Sequence, residues 1–507
     1  MELELNRTEQ TYFEQVLDTT IYREETLEMI VPDACPDILR ILDTEGWPCL
    51  PQREAVEGAV RLTGCVRTVV LYQPDGAGGL WKMEAEIPVQ CTAEQAGVTP
   101  VCQVFAVPRV TGAETRLINP RKVLIRVNLA IAVQAYAPRG IAPCSGAAEG
   151  EGWGVQQRTE VRSGSFVACV RNRDFTFSDE LTIPGSKSPV AELLKCRGEV
   201  YCGESKIIGN KLIFKGGVTL LLLCRGMDAA VYQTSYELPF SQIMEVSGAG
   251  EEAECRLDVG LTGWRLELDP EEGRQISVEL SLLAQAVVRE ERTVELLTDA
   301  YSTMYPMTAE LEQYPLVSLV ENGCRRQTVR EILETGVMAR SVYDLWVSVG
   351  EIGMEREAER CTLTAQTRVT ILYEAEESEY LSVTRQIPVT CQLELPEGCQ
   401  VSCLCTPSDL QATATAGGIE TRYVLDFQVE VLRSGQASGI SALRLDEETA
   451  RDSSGQPSIV LRQMTGEEEL WDIAKAYSTT MQEIMQANEL EGEQVSVGQL
   501  LLIPRKR

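Results

Sequence analysis

One alternating pattern occurs three times in this chain at nearly constant spacing. Val123, Ile125, Val127, Leu129 and Ile131 alternate with residues such as Arg126 and Asn128. Ile276, Val278, Leu280 and Leu282 do so around Ser277 and Glu279, and Tyr423, Leu425, Phe427, Val429 and Val431 around Asp426 and Gln428. Val127, Val278 and Phe427 lie 151 and 149 residues apart. Period-two alternation sends one row of side chains into a core and the other toward water. A strand recurring every ~150 residues predicts a row of similar β domains, each long enough to bury its own core.

Other features keep the same interval. An Ile/Leu-Pro-Val/Phe step appears at Ile87–Val89, Leu238–Phe240 and Ile387–Val389, after apolar strands at Val69–Tyr72, Leu221–Cys224 and Thr370–Tyr373. Short amphipathic segments stand at Pro36–Leu42, Ser188–Leu194 and Gln327–Leu333, their closing leucines 152 and 139 residues apart. Turn-forming stretches such as Gln73–Gly79 and Asp269–Gly273 separate the runs. The expected fold is mainly β, with three tandem antiparallel domains that each carry a short helix or two. The repeats are expected at 1–154, 155–308 and 309–445, followed by a flexible linker at 446–457 and a small module at 458–507.

The balance of 46 Lys plus Arg against 76 Asp plus Glu gives a net charge of -30. Such a surface repels phosphate backbones and anionic headgroups, so no nucleic-acid partner is expected. The chain has no His, which removes the commonest general acid/base and the Ser-His and Cys-His nucleophile pairs. No phosphate-cradling glycine motif is present either. The chain is therefore expected not to be an enzyme, with no catalytic residue, cofactor or metal.

The segment Met1–Asn6 has neither the basic nor the apolar part of an export signal. The longest apolar run, Val218–Cys224, is far short of the ~20 residues of a membrane span. A cytoplasmic location follows as an expectation, with the 17 Cys mostly free and many of them buried as small hydrophobes. Cys399, Cys403 and Cys405 form the densest group, but their spacing lacks the second pair or the His of a zinc site.

From Ser458 the pattern changes. Ile459–Gln463 reads as a strand. Leu470, Ile473, Ala474 and Tyr477 recur at helical spacing, Thr480 can cap a second helix through Ile484 and Asn488, and Leu500–Pro504 closes as a strand. The order is β-α-α-β. Leu470–Tyr477, Thr480, Asn488–Leu490, Gly498-Gln499 and Leu502–Pro504 resemble the LysM module. That resemblance implies a shallow groove for N-acetylglucosamine glycans between the loop before the first helix and the loop after the second. Here Glu467, Glu468 and Glu469 stand where the module usually has Gly-Asp-Thr, and Val497 replaces a Pro. Bulk and charge in the first loop count against sugar binding. Trp471 has two readings, a cover for the module's core or an exposed anchor for a partner. The residues expected to meet a partner are Ile459, Glu467, Glu468, Glu469, Leu470, Trp471, Asn488 and Val497.

The segment Met29–Leu42, with its Pro-Asp-x-x-Pro-Asp core at Pro32–Asp37, resembles the opening signature of the SPOCS family of spore coat proteins. On the residues alone it reads equally as a turn leading into a capped helix. SPOCS-like repeats followed by LysM imply a non-catalytic coat assembly protein in the mother-cell cytosol, at the forespore surface. They imply a SpoIVA-type coat morphogenetic ATPase as the partner of the LysM, with other coat proteins as further partners. The alternative is a peptidoglycan-binding protein acting through the LysM.

Overall fold

The computed structural model describes residues 1–76, 78–148, 152–376, 379–451, 457–466 and 468–505. A short strand, β1 (Leu5–Arg7), leads into a long one, β2 (Gln10–Ile30). A tight turn at Pro32–Cys35 then opens an antiparallel meander of β3 (Ile38–Val56), β4 (Ala59–Pro74) and β5 (Trp81–Glu94). A hairpin of β6 (Gln103–Asn119) and β7 (Lys122–Ile141) follows. β7 returns along β2, with Gln10 opposite Ile141 and Ile30 opposite Lys122, and β8 (Cys144–Ala147) pairs back onto β1.

The same plan is then drawn twice more. The second copy has a long β9 (Val155–Thr182), a meander of β10 (Val190–Ile208), β11 (Lys211–Gly226) and β12 (Val231–Glu245), and a hairpin of β13 (Glu254–Leu268) and β14 (Gln275–Ser302). The third has β15 (Met307–Leu333), then β16 (Ala339–Glu357), β17 (Arg360–Ala375) and β18 (Tyr380–Glu394), then β19 (Cys399–Thr415) and β20 (Gly418–Leu445). β14 pairs with β9 and β20 with β15. Last come β21 (Ile459–Gln463), α1 (Leu470–Tyr477), α2 (Met481–Ala487) and β22 (Leu500–Pro504).

Each copy is a sandwich of two sheets, and alternation explains why. Val66, Val70 and Tyr72 of β4 share one buried core with Val123, Ile125 and Val127 of β7. Leu220, Leu222 and Cys224 share another with Ile276, Val278 and Leu280. Val369, Ile371 and Tyr373 do so with Tyr423, Leu425 and Phe427. The repeated prolines fall on the edge strands β5, β12 and β18, where a missing N–H breaks no ladder.

The short helices expected in the repeats are absent: among the described residues both α-helices lie in the C-terminal module. Pro36–Leu42 and Ser188–Leu194 instead turn into β3 and β10. The reason is burial on both faces. Leu42, Asp43, Thr44 and Glu45 are all buried in succession, so this strand does not alternate and its apolar spacing imitates a helix. Gln327–Leu333 is the end of β15, and the third counterpart of Leu42 and Leu194 is Tyr343. The odd interval of 139 residues came from pairing unlike segments.

The sandwiches are fused. Phe13 of β2 pairs with Val167 of β9, which joins two sheets into one of six strands, β13-β14-β9-β2-β7-β6. Phe166, Val294 and Leu296 pack with Tyr314 and Leu316 of the third copy and against Tyr12 and Ile141 of the first. At the chain's start, Leu3 N–H donates to Leu443 O at 2.9 Å and Leu445 N–H to Met1 O at 2.8 Å, so the first and third copies also meet.

Where β3, β10 and β16 converge, five buried charges share one cluster. Lys195 Nζ donates to Asp43 at 2.7 Å and Asp344 at 2.6 Å and also contacts Glu45. Arg197 grips Glu45 through two bonds of 2.8 and 2.9 Å and reaches Asp344 at 3.0 Å. Asp43, Glu45 and Asp344 come close enough together to hold a cation, and the Lys195 ammonium is the cation they share.

Candidate functional site: the C-terminal module and its seat

β21 and β22 pair antiparallel, with Ile459 opposite Pro504 and Gln463 opposite Leu500. Glu469 caps α1 in a reciprocal capping box with Asp472, and Thr480 caps α2 in another with Glu483. The inward residues Leu470, Ile473, Ala474, Ile484, Leu501 and Ile503 form the small core. Asn488 stitches helix to strand. Its Oδ1 accepts from Leu502 N–H at 2.7 Å, and its Nδ2 donates to Ile484 O at 2.8 Å and Leu502 O at 2.7 Å. Expected at the binding site, Asn488 is spent on holding the module together.

The two loops of the groove clasp each other: Met464 N–H donates to Gln499 O and Gly498 N–H to Met464 O, both at 2.9 Å. Glu468 accepts from Thr465 at 2.8 Å and is ion-paired with Arg462. Glu469 reaches out of the module to Arg158 at 2.6 Å. Glu467 lies outside the described residues, as do 452–456 of the expected linker.

Trp471 is only 5 % exposed. Its indole packs edge-on against Tyr301 at 5.0 Å, and its Nε1–H donates to Asp299 at 2.8 Å. Lys475 donates to both oxygens of Asp299, at 2.7 and 2.8 Å. Tyr301 hydroxyl donates to Thr479 O at 2.9 Å. Burial pushes the Asp299 carboxyl up, yet the hydrogen bonds from Lys475 and Trp471 outweigh it and leave its pKa below the usual value. The module is thus seated on the ends of β9 and β14, and Trp471 fills the seat. In this structure it acts as a cover residue. Nothing in the sequence around Asp299 and Tyr301 marks them as a seat, because their partners lie more than a hundred residues away.

The face turned away from the helices is different. Ile459, Leu461 and Leu500 are 56 %, 63 % and 59 % exposed, and Val497 in the adjoining loop is 74 % exposed. Ile459 and Val497 were expected here, whereas Leu461 and Leu500 were missed. Their signal was on the page: Ile459-Val460-Leu461 and Leu500–Ile503 are apolar in both rows, although a two-stranded sheet on two helices needs only one.

Fold and module together define a chain of three β sandwiches ending in a small β-α-α-β binding unit. The comparisons name both parts: the model of the SipL SPOCS domain matches residues 37–118 and 189–268, and that of the LysM domain matches 467–504. The SPOCS matches run from the meander into the first hairpin strand of the first two copies, and the third copy repeats their strand order. The chain is a SPOCS-plus-LysM protein resembling SipL. No curated protein and no solved structure matches it. Neither domain family is catalytic, and a LysM module takes glycan or protein partners. Among the described residues no helix is long and apolar enough to cross a membrane.

Proposed function

We propose that this protein is a non-catalytic sporulation scaffold that anchors the spore coat to the forespore surface. It would do so from the mother-cell cytosol by binding a SpoIVA-type ATPase through its LysM module. The observation that carries this reading is the open apolar face of β21 and β22, with Ile459, Leu461 and Leu500 uncovered and Val497 beside them. Contiguous exposed apolar side chains mark interaction surfaces, protein contacts among them. In the groove itself Glu468 is already engaged by Arg462 and Thr465. Glu468 and Glu469 form the rim of the contact in this reading, while Leu470, Trp471 and Asn488 hold its shape. The working parts are the repeats at 1–154, 155–308 and 309–445 and the module at 458–507, joined through 446–457. Other coat proteins are further partners.

The test uses the full chain and the purified ATPase. Ile459→Ser, Leu461→Ser and Leu500→Ser combined alter an outward face and leave the module's core intact. The expected result is at least about tenfold weaker binding in titration calorimetry, since each truncation removes apolar area from the contact. Unchanged binding sinks the proposal. Co-sedimentation with peptidoglycan in the absence of ATPase binding would replace it with the alternative, a peptidoglycan and N-acetylglucosamine binder.

A further inference from the structure

Beside the Lys195–Arg197 cluster, a cavity of about 340 Å³ opens at the junction of the three sandwiches. Trp47, Arg53 and Arg109 of the first copy line it, with Asp258 and Gln285 of the second and Trp346 of the third. Glu45, Arg197 and Glu199 also border it, and the other walls are mostly Val, Leu and Pro. At about 30 Å³ per water the space would take about ten solvent molecules. An apolar concavity of this size with a few converging polar groups is what small-molecule sites look like.

The cavity follows from an exchange at one register position. Glu45, Arg197 and Trp346 stand opposite Val69, Leu221 and Thr370 in the three meanders. Glu45 and Arg197 pair with each other, and the third copy supplies an indole instead of a third charge. Trp346 is 7 % exposed and its Nε1–H has no acceptor. Arg109 donates to Cys405 O at 3.0 Å, but its buried Nε likewise has no acceptor. Arg53 is bound to Leu50 O and Gln285. Among the described residues neither Arg53 nor Arg109 forms an ion pair, whereas the neighbouring Arg197, Arg256 and Arg289 all do. Asp258 lies close enough for its charge to act on both, but burial pushes its carboxyl up despite the hydrogen bond from Gln285 and the pull of the arginines, and among the described residues no ion pair joins it to either. Desolvation also pushes Arg53 down to about 10. Unpaired buried donors such as Arg109 Nε and Trp346 Nε1 call for an acceptor.

We propose that this cavity binds a small monocarboxylate with a flat apolar body. Its carboxylate would accept from Arg109 and Trp346, and its body would lie on Trp47 and the aliphatic walls. The guanidinium fork matches carboxylate geometry. A wider cleft of about 860 Å³ between the second and third copies shares Arg109 and Asp258 with the cavity and gives a way in. Glu204, Glu237, Asp409 and Asp426 line that cleft, and they repel a doubly charged phosphate more than a single carboxylate.

The probe is 1-naphthoate, titrated into the full chain beside its neutral counterpart 1-naphthamide. The acid is expected to bind at least about tenfold tighter than the amide, as a charge-assisted pair requires. Arg109→Met is expected to abolish that preference while the amide still binds. Two results on the wild-type chain overturn the proposal without any variant: no binding of naphthoate up to about 1 mM, or equal affinity for acid and amide. The first means a cavity filled by water alone, and the second means a plain apolar void.

Discussion

Lys195 and Asp43 stand 152 residues apart in the chain and 2.7 Å apart in space. They hold the same register position as Asp344, opposite Leu71, Leu223 and Leu372 of three successive meanders. Identical copies would bring three like charges together at this point. One change of sign turns that repulsion into attraction, and it also fixes which copy neighbours which.

Removing the ammonium should be costly. Lys195→Met leaves Asp43, Glu45 and Asp344 with only Arg197, and the loss expected for one partner of a buried cluster is about 3–5 kcal/mol. Chemical denaturation of the full chain measures it. A second variant that adds Asp43→Asn and Asp344→Asn should recover much of the loss. If the single variant is as stable as the wild type, the cluster holds nothing together.

The seat of the LysM module rests on Asp299. Asp299→Asn weakens the bonds from Trp471 and Lys475, and about 1–2 kcal/mol of docking should be lost once partial exposure is allowed for. Faster hydrogen exchange in α1 with unchanged exchange in the sandwiches would show it. Equal protection of α1 in both proteins would mean that Tyr301 and the apolar contact suffice.

Acid should act on the same seat. The folded pKa of Asp299 is held below its ordinary value, so its contribution is fully present above the unfolded carboxylate value of about 3.9 and fades as pH falls through the lower folded value. Trp471 emission followed from pH 6 downward should keep its buried character until below that point. Loss of the buried signal at pH 5–6 would contradict this assignment.

Gly64 offers a check on the meander. A Cβ there would meet Cys49 O at 2.0 Å and Leu50 Cα at 2.8 Å, both of them backbone. Gly64→Ala should therefore cost about 2–4 kcal/mol, a size reserved for steric or core defects. A midpoint within experimental error of the wild type would disprove the close approach.

The sequence made the strands legible wherever one face is wet. Val123–Ile131 and its two counterparts alternate because water covers their other side, and their common interval exposed the repeat. The starts of β3 and β10 were misread as helical because the junction buries both of their faces, and the third such segment was sought at the end of β15 instead of in β16. The LysM module was readable throughout, since its caps, helical spacing and closing strand are local. Its seat was not. Arg158, Asp299 and Tyr301 acquire meaning only from Glu469, Trp471 and Thr479, and no periodicity links such distant positions. The opposed charges at Asp43, Lys195 and Asp344 were visible in principle, but only after the third copy is aligned on Tyr343 rather than Leu333.

The contact between Leu3 and Leu443 sets a timetable for synthesis. A ribosome releases Leu3 440 residues before its complement. Leu3 must therefore wait for this partner while two further sandwiches are made, even though β1 can already pair with β8, and this contact can close only after the third has left the exit tunnel. A transcript truncated before Leu443 would yield copies that still meet through Phe13, Tyr314 and Lys195 but lack the contact that ties the first residues to the third copy.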